Sequence, residues 1–121
     1  MTKLEIIEEL FDNGYIKDPS TSALIHGFCE YEIIKENGTI LNCAVGKCLT
    51  RQGIEYAKKN DIAGVDEFEN LEFLLQEKYQ GHSIDFWMNL QIMHDGRDFW
   101  TLNSITEVGK SELNRLKKLY A

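Results

Sequence analysis

Proline is almost absent, apolar runs are short and basic residues are outnumbered, and each shortage closes off a class of protein. One proline in 121 residues, with no low-complexity tract, leaves no room for a linker. The chain therefore reads as one domain, residues 1–121, around one core. Its apolar stretches fall well short of the roughly 20 residues that cross a bilayer, so no membrane segment is expected. Glu5, Glu8 and Glu9 stand where a secretory signal needs a basic start and an apolar centre, and the expected location is cytoplasmic.

Cysteine is also scarce. Cys29, Cys43 and Cys48 are an odd number without an export signal, which argues for reduced thiols and against a disulfide framework. The spacing from Cys43 to Cys48 is long for a zinc pair and no second pair follows, so neither a metal nor a cofactor is expected. The formal net charge is −7, which repels phosphates, and direct nucleic-acid binding is not expected. A basic protein surface, such as that of a nucleic-acid-binding protein, suits this charge better.

The residues that are present give five or six elements. Thr2-Lys-Leu-Glu5 has the form of a capping box, and Leu4, Ile7, Leu10 and Phe11 follow at helical spacing until Asn13-Gly14 offers a left-handed stop. Asp18-Pro19-Ser20 marks a turn, and Ser22 to Gly27 is open between a helical turn and a loop. From Phe28 to Val45 the pattern is a β-hairpin around Asn37-Gly38. A two-residue type I′ loop there would set Ile34 opposite Leu41. Helix resumes near Cys43 and runs to Lys59 with a break at Gly53. Gly46, in its first turn, suits a close backbone approach better than it suits the helix. A helix over Glu67 to Tyr79 would bury Leu71, Leu74, Leu75 and Tyr79 and expose its glutamates. Ser83 would cap Ile84 to His94, with Trp87, Leu90 and His94 on one stripe, and a last helix starts near Thr106 with Leu113, Leu116 and Tyr120 inward. Leu49-Thr-Arg-Gln-Gly53 and Ile105-Thr-Glu-Val-Gly109 echo one another, too briefly to make a repeat. The fold class expected is α+β, mainly helical with an antiparallel β-hairpin.

Two runs offer chemistry. Cys43-Ala-Val-Gly46 places a thiol at the start of a helix, whose dipole favours thiolate, and Leu90-Gln-Ile-Met-His-Asp95 supplies a base and an acid. A cysteine hydrolase or transferase would use Cys43 as nucleophile, His94 as base and Asp95 or Asn42 to orient it. Against that, His94 shares a stripe with Trp87 and Leu90, and an apolar Ala-Val neighbourhood raises a thiol's pKa. The stronger reading has no catalytic residue. Glu67, Glu69, Glu72 and Glu77 would present a negative face, and Trp87 and Trp100 are candidate stacking residues, although Phe86, Trp87, Phe99 and Trp100 also suit an aromatic core. His26 and His82, each beside a glycine, read as surface residues.

The order of helix, Gly14-Tyr15, strand into Cys43-Ala-Val-Gly46, Leu-rich helix and Phe86-Trp87…His94-Asp95 resembles a group of small uncharacterised proteins of bacteria and their phages. These share a Cys-Ala-x-Gly step and a downstream His-Asp or Asn-Asp pair. The resemblance implies a phage or mobile-element setting, with an inhibitor or sequestering factor that binds a host defence or regulatory protein. Acceptance of Asn in the position of His94 speaks against an obligatory base. Ile105-Thr-Glu-Val-Gly-Lys-Ser-Glu-Leu113 is also similar to the entry of a winged-helix final helix, but the basic recognition helix of such a regulator is missing.

The Asn37-Gly38 turn supplies a first test. Gly38→Val is expected to lower stability by about 1 to 2 kcal/mol, since a β-branched residue resists positive φ. A thermal melt checks it, and an unchanged melting temperature removes the hairpin.

Overall fold

The computed structural model describes residues 1–22, 24–25, 28–101 and 103–121, and of residues 23–29 no side chain is described. His26 therefore lies outside the described residues. The fold is α+β and mainly helical, with antiparallel strand pairs.

Thr2 opens α1 (Lys3–Ile7) through the capping box: its hydroxyl accepts from Glu5 N at 3.1 Å while Glu5 Oε1 accepts from Thr2 N at 2.8 Å. Two backbone donors that the helix cannot satisfy internally are thereby paired. The helix does not stop at Asn13-Gly14. It continues in π-helical winding over Glu8–Tyr15, closed by Ile16 N donating to Phe11 O at 2.9 Å. Neither Asn13 nor Gly14 has a positive φ. The wider winding keeps Phe11 and Tyr15 both buried.

β1 (Leu24–Ile25) pairs with β2 (Phe28–Cys29), so Phe28 belongs to a hairpin separate from the one around Asn37-Gly38. That second hairpin joins β3 (Ile33–Ile34) to β4 (Ile40–Leu41), with Ile33 opposite Leu41 and Ile34 opposite Ile40. The register is one residue away from that of a type I′ loop. Gly38 has φ +86° but Asn37 has no positive φ, and Gly38 N donates to Lys35 O at 2.9 Å. Three loop residues then end in a left-handed glycine, the ordinary alternative to a two-residue loop. Below the hairpin, the buried Glu32 carboxylate takes both terminal nitrogens of Arg51 and the ammonium of Lys58. The Arg51 guanidinium holds that carboxyl below its usual range.

α2 (Ala44–Cys48) and α3 (Arg51–Lys59) are separate helices, broken at Leu49 rather than at Gly53. Leu49 is extended because it bridges Leu75, with Thr50 N donating to Leu74 O and Gln76 N to Cys48 O, both at 2.8 Å. The same bridge breaks the expected Glu67–Tyr79 helix. Residues Val65–Glu67 and Glu77–Tyr79 are 3-10 turns, and α4 (Leu71–Leu74) is one turn between Asn70 (φ −140°, ψ 64°) and the extended Leu75. Leu71, Leu75 and Tyr79 still point inward.

α5 (Ile84–Asp95) runs through the core with Phe86, Trp87, Leu90, Met93 and His94 buried. α6 (Glu107–Leu119) lies along it through Leu113 and Leu116. Tyr120 meets Phe86 edge-on at 5.0 Å, and Lys117 pairs with Asp12 at 2.5 Å.

Three helices begin by one rule. In α2, α3 and α6 the N-cap is Cys43, Thr50 or Thr106, and its sulfur or hydroxyl accepts from the backbone N–H of a glycine three residues on, Gly46, Gly53 or Gly109. Over each glycine rests a backbone carbonyl of another segment, that of Tyr31, Leu74 or Phe99. A Cβ on any of the three glycines would come within 3.0 Å of that oxygen. The short echo between residues 49–53 and 105–109 is thus a repeated way of starting a helix under a neighbouring chain.

This arrangement reverses the usual effect of a helical Gly-to-Ala change, which stabilises by up to about 1 kcal/mol. Gly46→Ala is expected to cost about 3 kcal/mol, because the obstacle is backbone and cannot rotate away. Denaturant titration reads the sign directly.

Candidate functional site

Cys43 and His94 lie on neighbouring helices, since α2 packs against α5. They do not form a thiol–imidazole pair. Cys43 is fully buried at the N-cap of α2, and its Sγ faces Gly46 N at 3.4 Å. His94, 1% exposed, has Nε2 at 2.7 Å from Ser22 Oγ and Nδ1 at 2.7 Å from Asp95 Oδ1. Its ring lies 4.8 Å from that of Tyr15.

The chain of contacts extends further. Gln91, one helical turn before Asp95, donates from Nε2 to both carboxylate oxygens at 3.1 Å and accepts from Val45 N at 3.2 Å through Oε1. Tyr15 donates to Asn42 O at 2.8 Å, and Asn42 Nδ2 donates to Tyr31 O at 2.9 Å. Asn42 thus faces the hairpin, not His94. Ser22, His94 and Asp95 stand in the order of a hydrolytic relay, and Ser22 is the member that sequence spacing did not reveal. Its partner is 72 positions away. The Gln91–Asp95 spacing of four residues on one helix was the one legible signal.

Within this relay His94 is enclosed, whereas the Asp95 side chain is 31% exposed and Ser22 is half-buried. Neither of two cavities among the described residues is lined by Ser22, Cys43 or His94, but one of them is lined by Gln91 and Asp95. Burial pushes the Cys48 thiol above its ordinary range and the Lys47 ammonium below its own, with Lys47 Nζ 4.0 Å from the Tyr15 ring centre. The network ties the segment before β1, the entry to α2 and the end of α5 into one unit. Among the described residues no cluster of His, Cys, Asp and Glu is arranged to hold a metal, and no helix is long and apolar enough to cross a membrane.

A separate opening lies toward the start of α5, two turns before His94. A cleft of about 400 Å³ separates α4 from the start of α5, with Trp87 and Leu75 in its wall and Glu69, Glu72 and Phe73 around it. Trp87 is 1% exposed and Phe73 is 79% exposed. The expected acidic helix face is distributed differently. Glu67 is spent on Gly64 N at 2.5 Å and Glu72 on Gly81 N at 2.6 Å, while Glu69 and Glu77 are exposed in separate short segments. Trp100 is half-buried and donates from Nε1 to Met93 O at 2.8 Å, stacking near Phe11. The two tryptophans therefore belong to the core, and Trp87 alone touches the cleft. Phe73 was passed over because it falls off the Leu71–Leu75 stripe, which is also why it projects. A second cavity, about 350 Å³, lies between Val65 and α5 and touches Gln91, Ile92 and Asp95.

No family model, curated protein or solved structure matches the chain.

The capping geometry at Cys43 separates two roles for the thiol. If the sulfur serves as a helix cap, Cys43→Ser holds stability better than Cys43→Ala, by about 1 kcal/mol. A side chain valued only for apolar burial gives the opposite order, because a buried hydroxyl costs more than a methyl. Thermal melts of the two variants decide between them.

Proposed function

We propose that the protein is a non-catalytic binding module that engages a basic partner protein through the cleft between α4 and α5. The observation that carries this reading is Phe73, 79% exposed at a cleft bordered by Glu69 and Glu72. An aromatic side chain left in water beside carboxylates gains from being covered by a surface that brings both apolar area and positive charge. The net charge of −7 supports the same partner, since it speeds encounter with a basic surface and repels nucleic acid. The resemblance to small phage and bacterial proteins supports an inhibitor or sequestering role against a host defence or regulatory protein.

The cysteine-enzyme alternative has less behind it. It requires an accessible thiol within hydrogen-bond reach of His94, and Cys43 is 0% exposed with its sulfur on Gly46 N. The winged-helix alternative requires a basic recognition face, whereas the chain carries a net charge of −7 and α6 pairs Lys110 with Glu107 and Arg115 with Glu112.

Capture from bacterial lysate, followed by binding kinetics on the captured protein, tests the reading. Phe73→Ala is expected to weaken binding about tenfold or more by faster dissociation, as removal of a central aromatic anchor does. Glu69→Lys is expected to slow association and to flatten its salt dependence, since exposed charges act over roughly 10 Å at 0.1 M salt. Neither change touches the core, so melting temperatures stay put. Equal capture by both variants removes this face as the binding site.

A further inference from the structure

The cleft is one half of a longer surface. Its α5 wall is made by Ile84 and Trp87, and the second cavity begins one turn on, at Met88, Gln91, Ile92 and Asp95. At 100° per residue these six positions fall within one arc of about 140° on the helix. The opposite wall is continuous in sequence too, with residues 63–66 bordering the second cavity and residues 68–73 the first. A groove therefore follows α5 from Ile84 to Asp95, about 16 Å at 1.5 Å per residue. Ile84, Ile92 and Phe73 are exposed along it and Met88 is half-buried. Its charge has one sign: Glu69 and Glu72 line the first cavity, Asp66 and Asp95 the second, and no lysine or arginine lines either. Neither wall is a strand edge, since α5 is helical, Val65–Glu67 is a 3-10 turn and α4 is a single helical turn. An extended peptide laid there would lose water from its backbone groups with no ladder to replace it, whereas a helix carries its own backbone bonds into the groove.

We propose, resting on the docking reading above, that the whole groove receives a basic amphipathic helix of the partner protein, laid along α5 across both cavities. Ile84 and Ile92 stand two turns apart, so the incoming helix covers them with apolar residues at i and i+7, and its i+3 or i+4 residue lies over Met88 between them. Lysines and arginines beside that stripe meet Glu69 and Glu72 at one end and Asp66 and Asp95 at the other. The surface selects this occupant on two grounds. An acidic helix or a nucleic-acid strand is repelled at both ends, and a short loop with one apolar anchor fills one cavity and leaves either Phe73 or Ile92 in water.

The probe is a capped peptide of about 14 residues, long enough to span the groove, with leucines along one helical face and lysines elsewhere. The protein labelled with nitrogen-15 is titrated with it. Backbone amides of Phe73 and Ile84 at the first cavity and of Asp66 and Ile92 at the second are expected to shift together and saturate on one binding curve. The same residues shuffled so that leucine falls on every face, or the same peptide with proline at its centre, are expected to bind about tenfold more weakly. Glutamates in place of the lysines are expected to abolish the shifts. Ile92→Ala removes exposed apolar surface and is expected to weaken the leucine peptide about fivefold with the melting temperature unchanged. Asp66→Lys is expected to weaken it at low salt and to lose its effect as salt rises. Shifts confined to the first cavity, full affinity in Ile92→Ala, equal binding of the proline peptide, or no shift at all each overturn the proposal. Docking at Phe73 is decided apart from it, because the capture experiment uses the partner itself: a partner that Phe73→Ala releases and Ile92→Ala does not leaves the docking reading standing and removes the helix.

Discussion

A backbone carbonyl resting on a glycine in the first turn of a helix is the contact on which this structure depends. It occurs where Tyr31 crosses α2, where Leu74 crosses α3 and where Phe99 crosses α6. Each crossing sets the distance between a helix and the segment that covers it, and each helix is started by a side chain that takes the glycine's N–H. Glycine weakens a helix by up to about 1 kcal/mol relative to alanine, so the loss is accepted three times for the sake of close approach. The Cys43-Ala-Val-Gly46 step, which has the ingredients of a nucleophile at a helix terminus, is accounted for by this rule.

The crossing at Leu74 also explains the cleft. Leu75 must leave helical geometry to bridge Leu49, and Gln76 then spends its side chain on the carbonyls of Lys47 and Leu49. Only one turn is left for α4. Leu71 and Leu75 face the core from its two ends, and Phe73 between them has nowhere to pack. The exposed ring beside an acidic rim follows from a helix cut short.

Where local signals act alone, they were readable in the sequence. The capping box at Thr2, the stripe of Trp87, Leu90 and His94, and the start of α6 at Thr106 are each decided by residues within a turn or two of one another. Legibility failed where distant segments decide. Helical spacing over 67–79 is genuine, but the bridge from Leu49, more than twenty residues earlier, overrides it. The hairpin register slipped because Asn37-Gly38 serves two loop types, and only the φ of Asn37 separates them. At the candidate site, Cys43, His94 and Asp95 were visible as chemistry, but Ser22 and Gln91, which take up the hydrogen bonds, are joined to them only by the fold.

The three crossings also govern which substitutions this chain can accept. Most surface positions around them tolerate exchange, and even the capping position accepts sulfur or oxygen, but a single added methyl at Gly46, Gly53 or Gly109 forces two backbones apart. At these three positions the limit on exchange is set by main-chain distance, which no repacking of side chains can relieve.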